Sequence, residues 1–232
     1  MACQATAAAA SGILVGGEGE VNASERGVVY IALGATWRSH VALSIGTLKA
    51  QNPYLQVWIM TDGEVKGADE RLQLPYPYPQ KITTDRQLSR WAKTALADAN
   101  TPDRCMYLDA DTQVCGSLEA YFAPLDSGFD MVITASINQG AHMLRHATPD
   151  ERLVTLNEVG TGAVQLQAGA FSWARNERTR TLFATWRQQW WRWADVDQGA
   201  LMRAIRVSGV RLWLLGRDFN GGSVVKHRSA GG

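Results

Sequence analysis

The sequence predicts an α/β fold with a Rossmann-like central sheet, mixed but mainly parallel, and helices on its flanks. Three observations predict it. Residues 28–33 are a continuous apolar run and 55–60 are apolar apart from Gln56, the pattern of strands buried on both faces. A stretch with helical spacing lies between them, so the three make a βαβ unit, which builds parallel sheet with a right-handed crossover. A third apolar run, Arg104–Leu108, ends in Asp109-Ala110-Asp111, and open α/β sheets bind ligands beyond the carboxyl ends of their strands.

Taken in order, residues 1–25 are rich in Ala, Gly, Ser and Glu without periodicity and read as a disordered tail. Residues 26–232 read as one domain. Val28-Val29-Tyr30-Ile31-Ala32-Leu33 is the first strand. Val41, Leu43, Ile45 and Leu48 give the following helix, 37–50, its apolar side, and Pro53 stops it. Strand 55–60 is closed by Thr61-Asp62-Gly63, and the turn-rich stretch 67–79 reads as a loop. A helix over 86–100 carries Leu88, Trp91, Ala92, Ala95 and Leu96 as its buried stripe. After the third strand come a short helix at 118–122, a strand at 131–134 and an undefined stretch from 136 to 159. Strand 164–173, helices 176–193 and 198–205, and strand 211–215 complete the list. The order of strands in the sheet is not readable from one sequence.

Bulk properties narrow the function. The chain has 232 residues, 46% hydrophobic and 19% charged, as in an ordinary globular protein. A formal net charge of +1 and no Lys/Arg run argue against nucleic acid as a partner. No apolar stretch is long enough for a membrane span. The apolar segment 6–16 lacks the basic residues of a signal peptide, and the three cysteines, an odd and sparse set, fit a reducing compartment; the expectation is a cytoplasmic protein.

Tyr107-Leu108-Asp109-Ala110-Asp111-Thr112 is the most informative segment. Residues two apart in extended backbone point to one side, so Asp109 and Asp111 are expected to converge. Converging carboxylates repel unless a cation lies between them, and a hard divalent ion would also take phosphate oxygens. The plainer reading is a solvated turn capping a strand, because Asp-x-Asp alone is a weak motif.

The segment resembles the Asp-x-Asp motif of GT-A glycosyltransferases, especially the retaining family 8 group that includes glycogenin and bacterial lipooligosaccharide galactosyltransferases. The resemblance runs over about residues 27–228 in element order and rests on short motifs. It implies a GT-A fold and transfer of a sugar from a nucleotide-diphosphate donor, UDP favoured, to an acceptor. That acceptor could be a glycan, lipid, protein or small molecule. The opening strand, with Tyr30 and Ala32, is similar to the family's donor-base strand, and Ser44 and Leu48 lie on the helix after it. Arg90 and Lys93 sit where the family places a basic residue near the donor; for Arg90 a solvated helix face is the expected reading. Gln167-Ala168-Gly169-Ala170-Phe171 resembles the Asn-x-Gly-Val strand that approaches the donor sugar, with Gln167 in place of Asn. Gly169 alone could equally mark a strand bulge. Asp197-Gln198 resembles the Asp-Gln pair near the reacting sugar, although Asp197 could simply be a helix N-cap.

His227 follows the strand-like Val224-Val225-Lys226, as the family's metal-binding His does. With Asp109 and Asp111 it makes a set suited to Mn²⁺ more than Mg²⁺, because imidazole disfavours the latter. The family continues His-x-x-Gly-x-Lys-Pro-Trp, whereas here His227-Arg228-Ser229-Ala230-Gly231 follows, so Lys226 or Arg228 would have to replace the phosphate-binding Lys. Ala110 lies between the two aspartates and belongs to the same donor set.

Leu182, Phe183, Trp186, Trp190 and Trp193 recur at three- and four-residue steps and read as a core stripe, leaving Trp191 as a candidate for an acceptor or partner surface. No isolated carboxylate suggests itself as a general base, which accords with a retaining reaction. Two alternatives stay open. A nucleotidyltransferase would carry a Gly-rich basic loop after the first strand, where Gly34-Ala35-Thr36-Trp37-Arg38 stands instead. A degenerate sugar-nucleotide or glycan binding protein would share the fold without turnover.

Overall fold

The computed structural model describes residues 26–228; the expected N-terminal tail lies outside them. The chain runs through β1 (Arg26–Ala32), α1 (Ala35–Gln51), β2 (Gln56–Thr61), β3 (Glu70–Leu72), α2 (Asp85–Lys93) and β4 (Arg104–Leu108). It continues through β5 (Thr112–Val114), α3 (Glu119–Asp126), β6 (Met131–Ala135), α4 (Pro149–Val159) and β7 (Leu166–Ala174). The last elements are α5 (Glu177–Trp191), α6 (Gln198–Ser208), β8 (Leu212–Leu215) and β9 (Val225–His227).

Seven strands form one sheet in the order β3-β2-β1-β4-β7-β6-β8, and β5 pairs only with β9. β2, β1 and β4 are parallel neighbours, as the βαβ pattern predicts. β7 alone runs against its neighbours β4 and β6. Alternation along the central strands fills two cores, one on each face. Val29, Ile31, Tyr107, Phe171 and Trp173 pack with Phe183, Trp186 and Trp190 of α5. Val28, Tyr30, Met106 and Leu108 pack with Val41, Ile45 and Leu48 of α1 and with Tyr121 and Phe122 of α3.

Five expectations need correction. The loop 67–79 contains β3, an edge strand too short for a period-2 pattern to register. The helix 86–100 ends at Lys93, where the Thr94 hydroxyl donates to Trp91 O (2.7 Å) and the chain continues as a 3₁₀ turn, Leu96–Asp98. The undefined stretch 136–159 holds α4, started by Thr148, whose side chain accepts from Glu151 N, with Pro149 in the first turn. β5 is an addition, and its partner β9 is the strand-like segment at 224–226 shifted by one residue to take in His227. Trp193 lies beyond the end of α5, half-buried between the guanidinium groups of Arg192 and Arg203, 4.5 and 4.6 Å from its ring.

Two local features position the site. Gly34 has φ +83°, which turns β1 into α1, and its N–H donates to Asp62 Oδ2 (3.0 Å). In β7 the register against β6 jumps from Ile133↔Phe171 to Thr134↔Gln167, so residues 168–170 leave β6. Ala170 stays paired with Leu108 of β4, and the bulge carries Gly169 toward the end of that strand. Among the described residues no helix is long and apolar enough to cross a membrane.

Candidate active site

Asp109 leaves β4 with its N–H donating to Gly169 O (2.8 Å). Its own carbonyl accepts from Thr112 N (3.1 Å) and Thr112 Oγ1 (2.8 Å), closing a turn over 109–112. The two carboxylates therefore meet across a turn, not along extended strand as the spacing suggested. The chain then enters β5, which pairs antiparallel with β9 and sets Thr112 opposite His227. Arg228 N donates to Asp111 O (2.7 Å), locking the ribbon to the turn. His227 Nδ1 lies 3.3 Å from Asp111 Oδ1 and Nε2 lies 2.5 Å from Asn220 Oδ1.

Asp109, Asp111 and His227 thus each offer a ligand atom, all within 4.8 Å of one another. Gly169 makes the gathering possible. A Cβ there would stand 2.7 Å from Asp109 Oδ2 and 2.8 Å from His227 Cε1, closer than real atoms approach. Bulge and close approach, the two readings of Gly169, are the same feature. The donor set, two carboxylates and one imidazole with side chains 22–34% exposed, fits a divalent ion of the Mn²⁺ type. Burial acts to raise the Asp111 pKa, but the hydrogen bond and charge of His227 outweigh it and hold the carboxyl below its usual range.

Lys93, at the end of α2, is buried behind this set. Its Nζ reaches Asp197 Oδ2 (2.8 Å), Asp109 Oδ1 (3.2 Å) and Ala168 O (3.3 Å), and lies 4.6 Å from the Tyr107 ring. Burial works against the ammonium, yet Asp109 and Asp197 overcome it and raise its pKa well above the ordinary value. Asp197 is likewise kept ionised: burial opposes it and Lys93 and Arg90 prevail. Asp197 does occupy the N-cap position of α6, but its side chain makes no capping hydrogen bond and is turned to Lys93 instead. The solvated reading of Arg90 fails too. Its Nη1 donates to Asp195 O (2.7 Å) and Oδ1 (3.2 Å), bracing the segment before Asp197.

These groups form the floor of a cleft of about 520 Å³, lined also by Ile31, Leu33, Trp37, Asp85, Arg86 and Ser89. Here the expectation for β1 needs correcting. Tyr30 is fully buried with its hydroxyl on Ser44 Oγ (3.0 Å), and Ala32 packs in the same core, so both side chains face away from the cleft. Ile31 and Leu33, one residue out of phase, face it. Trp37, Arg86 and Ser89 were not anticipated; the signal was their helical positions relative to β1 and Lys93, and no pattern singled them out. Ser44 hydrogen-bonds Thr112 Oγ1 (2.9 Å) and steadies the acidic turn from beneath.

Gln198 and Gln167 lie just beyond the lining residues. Gln198 Nε2 donates to Gln167 Oε1 (2.9 Å), and Gln198 Oε1 accepts from Gln165 Nε2 (2.9 Å). Lys226 is exposed, one residue out of phase with His227 along β9, so the ribbon does not bring it to the acidic set; Arg228 is tied there through its backbone. Trp191 packs against Trp91 and beneath Lys81 Nζ, in the junction of α2 and α5 and away from the cleft, which removes it as a sugar platform there.

No protein-family model matches the chain, and no curated protein matches it in sequence. Solved structures do share its fold. The galactosyltransferase LgtC, in complex with donor and acceptor sugar analogues, superposes with a TM-score of 0.56 at 14% identity over 83% of this chain and 74% of that one. The glycosyltransferase GlyE of Streptococcus pneumoniae TIGR4 gives 0.55 at 16% identity over 84% of this chain and 46% of its own. Mouse xyloside xylosyltransferase 1 gives 0.55 at 12% identity over 84% and 86%. The fold is that of GT-A glycosyltransferases, including one of family 8.

Proposed function

We propose that the protein is a metal-dependent glycosyltransferase that takes a sugar from a nucleoside-diphosphate donor, UDP first among candidates, and retains its anomeric configuration. The observation that carries this reading is the gathering of Asp109, Asp111 and His227, ligand atoms within 4.8 Å, beside a cleft at the carboxyl ends of β1 and β4. Asp109, Asp111 and His227 would hold Mn²⁺, or less readily Mg²⁺. Such an ion supplies Lewis-acid stabilisation of charge on a departing diphosphate.

This chain's own groups do the rest. The exposed Arg86 is the cation on the cleft wall that can meet a phosphate, while Lys93 is occupied in neutralising Asp109 and Asp197. Lys93, which the resemblance places near the donor, acts there through these two carboxylates. Asp197 and Gln198 line the sugar on the side where an acceptor hydroxyl enters. The fold likeness and the motif resemblance both support this assignment. Cytoplasmic residence and a single domain over 26–232 remain part of the proposal.

Calorimetry with UDP and Mn²⁺, then with EDTA, tests it. Micromolar binding, dependent on metal and lost in Asp109→Ala/Asp111→Ala, is the expected result. Absence of binding to UDP, GDP, ADP, CDP and TDP alike would overturn it. Asp197→Asn is expected to cut turnover while donor binding persists; unchanged turnover removes Asp197 from its role.

A further inference from the structure

Gln165 is fully buried, immediately before β7, and its backbone is clamped by Gln139: Gln165 N donates to Gln139 Oε1 (3.0 Å) and Gln139 Nε2 donates to Gln165 O (2.9 Å). Its side-chain Oε1 accepts from the backbone N–H of Leu144 (2.6 Å). A backbone N–H can only donate, so this bond fixes which end of the Gln165 amide is oxygen. The other end, Nε2, must then donate to Gln198 Oε1, which leaves Gln198 Nε2 to donate to Gln167 Oε1. One unambiguous donor thereby sets the polarity of three amides in series. At the far end the Gln167 Nε2 hydrogens have no protein acceptor among the described residues, two positions from Gly169 in the bulge.

The anchor of the series is itself unusual. Leu144 is buried with φ +55°, in the left-handed region that a bulky side chain disfavours. Its segment is also held by α4, through Arg152 Nε to Met143 O (2.8 Å) and Arg152 Nη2 to Ala141 O (2.9 Å).

We propose that Gln165 is a positioning residue: it transmits the Leu144 N–H through Gln198 so that Gln167 presents hydrogen-bond donors, not its carbonyl, to the transferred group. The site then selects a sugar bearing an acceptor oxygen at that point. This selectivity rests on the donor-site reading above; the relay itself does not.

The test has two arms. In the first, side-chain amide exchange is followed by NMR in protein labelled with ¹⁵N-glutamine. The wild type should show slowly exchanging Gln165 and Gln198 amides and a fast Gln167 amide. Gln165→Glu, measured at pH 8 where two N–H donors keep the carboxylate ionised, can only accept, so Gln198 must turn over. The Gln167 amide then donates inward and should become slow. An unchanged pattern overturns the relay. Should Gln165→Glu fail to fold, Gln165→Met is read instead: it removes the link, and slow exchange at Gln198 should be lost; its persistence overturns the relay equally.

In the second arm, UDP and UDP-glucose or UDP-galactose are titrated with Mn²⁺. Gln165→Glu should leave UDP affinity within about twofold of wild type and lower the affinity ratio of UDP-hexose to UDP about tenfold. An unchanged ratio overturns the role in sugar recognition. If the wild type binds no UDP, the donor-site reading has failed, and the exchange arm still decides the relay.

Discussion

A methyl group at position 169 would overlap Asp109 Oδ2 and His227 Cε1, at 2.7 and 2.8 Å. Gly169→Ala is therefore expected to weaken Mn²⁺-dependent UDP binding at least tenfold while lowering Tm by only a few degrees; calorimetry beside a melting curve checks both. Lys93 is a different case, because its removal strands Asp197 in the interior with a side chain only 11% exposed. Lys93→Met should cost about 3 kcal/mol, the scale for breaking a buried pair, and adding Asp197→Asn should return part of it. Urea unfolding of the two single variants and the double measures the coupling, and strict additivity would contradict the pairing. At this scale the sequence was most legible where chemistry is concentrated: Asp109, Asp111, His227, Lys93 and Asp197 do come together. It misled at Tyr30 and Ala32, because a strand buried on both faces is apolar throughout and does not tell which face meets the ligand. Gln165 carried no motif; only its Leu144 partner makes it noticeable.

Asp130 shows what one side chain does for three elements. Fully buried just before β6, it accepts from Arg178 Nε (2.7 Å) and Asn176 Nδ2 (2.9 Å) at the start of α5, and from Arg211 N (2.8 Å) before β8. Burial acts to raise its pKa, but Arg178 and Arg211 dominate and place it well below the usual carboxylate range. A depressed folded pKa means the stabilisation is complete above the unfolded value of about 4 and is lost as pH falls through the folded one. Asp130→Asn should cost about 2 kcal/mol at pH 7, and the gap from wild type should narrow only below about pH 4. Denaturant unfolding at pH 7, 5 and 3 follows it; a gap that closes already at pH 5 would contradict the assignment. Long elements were readable, β1, β2 and β4 as apolar runs and α5 by its helical spacing. Three-residue strands such as β3 and β5 hold too few residues for any period, and α4 went unread because its start at Thr148 and Pro149 is followed by no clear apolar stripe.

For the molecule as a whole, a ligand bound only by the native state raises stability by mass action. UDP with Mn²⁺ at about a hundred times its dissociation constant should contribute roughly 2.7 kcal/mol, or about 5–10 °C in Tm at this chain length. Thermal scans with and without EDTA test this, and a Tm indifferent to both additions would count against a donor site. The parallel half of the sheet followed from one βαβ unit, but the placement of β7 against β4 did not, because pairing between distant segments leaves no local trace. The β5–β9 ribbon is the extreme instance: it unites Asp111 with His227 across 116 positions. A ribosome adding about 5–20 residues per second needs on the order of 10 s to travel from the acidic turn to that histidine. A nascent chain can thus fold its first βαβ unit early, while the acidic turn meets its histidine only once β9 has emerged.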